Sequence, residues 1–240
     1  MGMEPYYYRE DIRKSLKDDS AEIAAGFREI IKGGLRVQLK LVNYFKGLPI
    51  SYPATPVDFT GTVLELDVHP QQAVALEQTG CTFVKCSYFD RPMLADVKDA
   101  DVRRMMASLA NFRFVEILAE QRVSLRLKLE PPCDAQIIGD AEPIDGKVLD
   151  ISLGGVSIRA SRPSYLREGK GALLKVMVPN LLQSGETQLE LRSKVVAVAR
   201  EEQGEVCRFS IESDPHVEGV ISRFIFQRQV DLIRELKEQS

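Results

Sequence analysis

Arg122 and Arg126 are separated by three residues in Arg122-Val-Ser-Leu-Arg126, and 24 residues after the second arginine comes Asp150-Ile-Ser152-Leu-Gly154-Gly155. A guanidinium is a rigid plane of five donors that stays charged at any working pH. Each arginine can therefore chelate a phosphate or reach O6 and N7 of a guanine as a bidentate pair. Lysine offers no such fork. A carboxylate at Asp150 accepts from guanine N1 and N2, and the Ser152 hydroxyl donates to phosphate or base. Gly154-Gly155 lets backbone approach a ligand with no Cβ in the way. The set suits a phosphate-bearing guanine ligand.

An arginine pair at this spacing usually marks one solvated face of a helix or strand. Its weight comes from the second motif, which follows in order and precedes a strand-rich segment. In these residues the chain resembles the PilZ domain family. The family signature is an Arg-x-x-x-Arg segment on a flexible lead-in, then an Asp/Asn-x-Ser-x-x-Gly segment on the following barrel; Arg122, Arg126, Asp150, Ser152 and Gly155 match it. The resemblance implies a receptor for the bacterial second messenger cyclic di-GMP, with the arginines wrapping phosphates and guanine and the second motif holding the other base face. Many ligand-binding members carry a basic residue just before the first arginine and an aromatic inside the segment. This chain has Gln121 before it and Val123, Ser124 and Leu125 inside, which leaves open one ligand molecule or a stacked pair. Gln121 and Arg159 are secondary contact candidates, although a solvated strand cation is the plainer reading of Arg159.

The elements that must position these residues follow from the chain's patterning. With 240 residues, 44% hydrophobic and 28% charged, it has material for two ordinary domains and a sizeable core. A formal net charge of −3 gives no general attraction for nucleic acid or anionic membrane, so an anion site must be a local cluster. No run of 18 apolar residues and no signal-peptide pattern is present, which points to a cytoplasmic protein without membrane insertion. Cys81, Cys86, Cys133 and Cys207 lack paired spacing and histidine neighbours, so four packed, reduced thiols are expected and no metal.

The Tyr6-Tyr7-Tyr8 run reads as a segment docked on a neighbouring surface. Asp19 and Glu22 form a capping-box pattern, predicting a helix over 19–33 with Ile23, Phe27, Ile30 and Ile31 on one face and Gly33-Gly34 as the stop. From Leu35 the period changes to two; runs 35–41, 61–68, 73–76 and 81–89 read as strands of a small β-domain. Residues 96–109 read as a second helix. The expected organisation is an N-terminal β-rich domain with helices over 1–118 and a PilZ-like domain over 119–240. The latter comprises a junction at 119–127, an antiparallel barrel over 134–212 and a terminal helix over 215–238. Six barrel strands are predicted, at 134–139, 146–152, 155–161, 172–179, 188–201 and 205–212. Asp214-Pro215 caps the last helix, whose apolar stripe runs through Val217, Ile221, Phe224, Ile225, Leu232 and Leu236. The stripe either covers its own barrel or pairs with a second copy, since Ile225 and Leu232 lie one heptad apart.

Catalysis finds little support. His69 and His216 sit beside prolines without a serine or cysteine partner, and Glu65, Asp67 and Asp90 read as solvated carboxylates. A nucleic-acid-binding barrel fits poorly, because the predicted barrel holds only Tyr165 and Phe209 as aromatics and no basic stripe beyond Lys170 and scattered arginines. A ligand-independent adaptor for pilus or motor assembly is the remaining rival, against which the intact motif residues argue. The layout resembles the flagellar-brake group of PilZ proteins, implying an unidentified protein partner in motility.

Overall fold

The computed structural model describes residues 7–179, 185–212 and 214–240. These divide into two compact units, one of residues 7–123 with 232–240 and one of 124–231, the latter short of the undescribed positions within it. Tyr6 lies outside the described residues; Tyr7 is buried against Tyr44, and Tyr8 packs edge-on to Phe83.

The first unit is a closed ring of strands with two helices. In chain order come β1 (Arg9–Glu10), α1 (Leu16–Gly33), β2 (Leu39–Phe45), β3 (Leu48–Thr60), β4 (Val63–Val68), α2 (Pro70–Thr79), β5 (Cys81–Cys86), β6 (Met93–Asp101) and β7 (Met106–Glu116). Antiparallel pairing runs β7-β4-β3-β2-β5-β6, and β6 pairs back onto β7, so the sheet has no open edge there. Inside lie Leu41, Leu64, Leu66, Val84, Met93 and Leu109, joined by Ile23, Phe27 and Ile30 from α1. A second cluster of Tyr7, Val42, Phe83, Leu94, Val115 and Ile117 covers the other face, which is why the first four residues of β5, Cys81 to Val84, are all buried rather than alternately exposed. Helix α1 approaches closely enough that a Cβ at Gly26 would stand 2.5 Å from the Phe89 ring.

Four expectations for this unit are corrected. α1 starts at Leu16, because Ser15 supplies the cap, accepting from the Asp18 amide at 3.1 Å. Residues 73–76 are helical, not extended: His69 is the N-cap of α2, its Nδ1 accepting from Gln71 N at 3.3 Å, Pro70 opens the helix and Gly80 closes it in the left-handed conformation. Five consecutive buried residues, Gln72–Leu76, erase the amphipathic signal. Residues 96–109 form the β6–β7 hairpin rather than a helix. Register shifts between Leu94 and Asp96 and between Val97 and Asp99 break the alternation that marks a strand. Strand β3, carrying Pro49, Pro53 and Pro56, is absent from the sequence expectations because proline ordinarily argues against a paired strand.

The second unit is a closed antiparallel barrel in the order β10-β13-β12-β11-β8-β9. Its strands are β8 (Leu127–Ile138), β9 (Ile144–Ser152), β10 (Gly155–Ala160), β11 (Gly171–Pro179), β12 (Glu186–Glu201) and β13 (Gly204–Ile211). All six lie where alternation places them, except that β8 begins at Leu127 instead of 134. Pro131-Pro132 hide its first half, and the ladder to β9 shifts between Lys128 and Cys133 to accommodate them. Ile137, Val148, Ile151, Ile158, Val176 and Leu191 are among the buried barrel residues.

Helix α3 (Pro215–Glu238) opens as expected, Asp214 Oδ1 accepting from the amides of His216 at 2.9 Å and Val217 at 3.2 Å. Ile225 and Leu232 are both buried. Among the described residues no helix is long and apolar enough to cross a membrane. Phe27 is fully buried and touches the rings of Phe59, Phe89 and Phe112. Phe27→Ala should therefore destabilise the first unit by about 3–5 kcal/mol in denaturant unfolding followed by circular dichroism.

Candidate functional site

Four of the motif residues come together at the β9–β10 hairpin, and a fifth precedes β8. Ser152 and Gly155 face each other across the turn, leaving Leu153 and Gly154 as the two loop residues. The buried Ser152 hydroxyl donates to the Gly155 carbonyl oxygen at 3.1 Å, tying the turn shut. The two glycines have different tasks. A Cβ at Gly154 would meet nothing within 4 Å, whereas one at Gly155 would stand 2.7 Å from the Phe209 carbonyl oxygen on β13. Backbone open to a ligand is thus the property of Gly154. Gly155 is demanded by the packing of the barrel, which sequence spacing could not distinguish.

Asp150 stands two residues before the turn, between Lys128 on β8 and Ser157 on β10. Its Oδ1 accepts from the Ser157 hydroxyl at 3.1 Å and lies 3.4 Å from Arg126 Nε. Its side chain is 14% exposed and that of Arg126 32%, so the pair is partly withdrawn from water but reachable. Ser157 in turn pairs with Arg208 on β13, giving a row of Lys128, Asp150, Ser157 and Arg208 across four strands. Lys128, Ser157 and Arg208 were not legible as companions of Asp150, because cross-strand register is not written in spacing along the chain.

Arg122 follows a short 3-10 helix (Leu118–Gln121) and belongs to the first unit; the division falls between Val123 and Ser124. Its guanidinium carbon stands 5.2 Å from the centre of the Tyr7 ring, which itself lies 4.6 Å from the Tyr44 ring. Burial pushes the Tyr44 hydroxyl up to about 12, with the charge of Glu120 adding to the shift and that of Arg122 opposing it. Gln121 donates to Glu116 Oε1 at 2.7 Å, and Arg159 Nη2 lies 3.7 Å from Glu201. The carboxylates set aside in the sequence have local tasks: Glu65 accepts from Ser108 at 2.7 Å, and the hydrogen bond from Arg13 holds Asp90 below the ordinary carboxylate range. All four cysteines are free thiols, and burial pushes Cys86, Cys133 and Cys207 upward. Among the described residues no group of three histidine, cysteine or acidic side chains is arranged to hold a metal ion.

Residues 118–227 match the family described as the PilZ domain. Among solved structures, the Bacillus subtilis inhibitor of motility (MotI/DgrA) is 14% identical, with 82% of this chain and 99% of that chain covered at a TM-score of 0.43. YcgR from Escherichia coli, in complex with c-di-GMP, is 16% identical with 98% and 97% covered, also at 0.43. The K. pneumonia MrkH–c-di-GMP complex is 19% identical with 97% and 100% covered at 0.36. No curated protein matches the chain significantly.

The division of labour between the glycines has a direct consequence. Gly155→Ala should destabilise the barrel by about 1–3 kcal/mol in denaturant unfolding, since two backbones must part. Gly154→Ala should change stability by no more than about 0.5 kcal/mol, since the added methyl meets open space.

Proposed function

We propose that the chain is a receptor, not an enzyme, for cyclic di-GMP. The observation that carries this reading is the Arg126–Asp150 pair, oriented by Ser157 on the PilZ barrel, together with the family match over 118–227. A cyclic dinucleotide brings both chemistries the pair lacks. Arg126 exchanges a carboxylate for a phosphate, and Asp150 exchanges a guanidinium for the N1 and N2 donors of guanine. Arg122 supplies the second fork, Gly154 the open backbone approach, and Ser152 with Gly155 the shape of the turn. Gln121 and Arg159 are secondary contacts.

Because the boundary between the units falls inside Arg122–Arg126, a ligand held by both arginines engages residues of both units. Its binding energy then biases their arrangement. The output is a surface read by a partner protein, in the cytoplasm, with motility as the process the flagellar-brake resemblance suggests.

Calorimetry on the purified chain should show low-micromolar or tighter binding of cyclic di-GMP, about 8 kcal/mol or more. No heat and no thermal shift at millimolar nucleotide overturns the reading. Arg122→Ala and Arg126→Ala should each weaken binding by about 2 kcal/mol while circular dichroism stays native. Unchanged affinity in either variant removes that arginine from the site. Amide exchange over 119–127 should slow on saturation, and small-angle scattering should report a changed arrangement that Arg122→Ala abolishes. If both are unchanged by ligand, the coupling is wrong even where binding stands.

A further inference from the structure

Arg91 lies in the turn between β5 and β6, and its side chain is only 7% exposed. The guanidinium carbon sits 3.7 Å from the centre of the Phe114 ring, and Nη1 donates to the Asp11 main-chain oxygen at 2.9 Å. The other edge of the plane is different. Nε and Nη2, the side-on fork that matches a carboxylate, are buried without a hydrogen-bond acceptor among the described residues. Asp90 Oδ1 stands 3.5 Å from Nε, and the other oxygen of that carboxylate is held by Arg13 at 2.8 Å. A charged donor left in this state is destabilising and calls for an acceptor.

A groove of about 720 Å³ opens at this point within the first unit, walled by Asp11, Asp90 and Arg91 and by apolar Phe89, Val115 and Ile117. That volume suits a small molecule. Its acidic groups each stand by a cation, Glu116 by Arg9, Glu120 by Lys85, Asp90 by Arg13, Glu10 at 3.7 Å from Arg113 and Asp11 Oδ2 at 3.4 Å from Nη1 of Arg91 itself, so the groove has no general surplus of positive charge. A dianion would meet these carboxylates with only one fork to hold it. A monoanion with an apolar body meets both the fork and the wall.

We infer that this groove binds a small monocarboxylic acid with a short apolar chain, its carboxylate seated bidentately on Nε and Nη2 of Arg91. Asp90 swings aside to admit it, which an exposed ion pair with Arg13 resists only weakly. Neither motif arginine lines this groove, although Gln121 does, and the inference does not rest on the cyclic di-GMP reading.

The test is a titration of the full chain with hexanoate, followed through the Nε–H resonance of Arg91 by NMR, with inorganic phosphate as the second probe. Hexanoate should shift that resonance saturably at millimolar concentration, and phosphate should bind about tenfold more weakly or worse. Arg91→Lys keeps the charge but loses the fork and should weaken hexanoate binding, read from the resonances of Phe89 and Val115, by about tenfold. Asp90→Asn leaves Arg91 in place and removes its competitor, so it should tighten binding about two- to threefold. Should Arg91→Lys fail to fold, Asp90→Asn decides. The inference is overturned by the absence of a saturable hexanoate shift, by phosphate binding as tightly as hexanoate, by a folded Arg91→Lys that binds undiminished, or by an Asp90→Asn that binds no more tightly.

Discussion

The placement of Asp150 depends on the seam where β9 turns into β10, and that seam admits no side chain. Gly155 pairs with Ser152 on one side and with Ser210 on the other, and the Phe209 carbonyl occupies the space a Cβ would need. The Ser152 hydroxyl reaches back to the Gly155 carbonyl, so the turn is held by a side chain as well as by the ladder. One step earlier the ladder shifts, Ser157 opposing Asp150 and Ile158 opposing Val148. That bulge keeps Ile151 and Val148 both in the core while leaving Asp150 partly exposed. Without the close approach at Gly155, neither the turn nor the register that sets Asp150 beside Ser157 would hold.

What rests on this seam is a charge pair of intermediate burial, and its energetics favour exchange over permanence. An exposed pair contributes about 0–1 kcal/mol, while a fully buried one is offset by the desolvation of both ions. Arg126 and Asp150 stand between these limits, with Ser157 supplying a neutral donor that orients the carboxylate at no further charge cost. Such a pair is readily traded for partners of the same polarity. An incoming phosphate meets a guanidinium already partly desolvated, and an incoming base donor meets a carboxylate whose rotamer is already fixed.

The same physics explains what the sequence disclosed. The barrel strands alternate because one face of each is buried and the other wet, and five of the six stand within about two residues of where the period places them. The motif residues were legible because their types are chemically unusual at that spacing. Elements of the first unit were lost for specific reasons. β3 carries three prolines, β6 carries two register shifts, and α2 buries five residues in a row. In each case tertiary packing overrides the local period that a reading by eye relies on. His69 is exposed and its task is local: it caps α2 and stacks on Tyr52 with ring centres 3.9 Å apart.

Arg126 faces a carboxylate, so a phosphate that takes the place of Asp150 substitutes one negative charge for another and the local field changes little. Arg122 stands over the π surface of Tyr7, whose attraction for a cation arises from the ring quadrupole and falls off far faster than that of a full charge. The Tyr44 hydroxyl beside it, kept neutral by burial well past physiological pH, adds no charge of its own. Tyr7 and Tyr44 therefore add an uncharged aromatic platform beside Arg122, a kind of support that the barrel side of the site does not use for Arg126, where the prepared partner is a full charge held in place by Ser157.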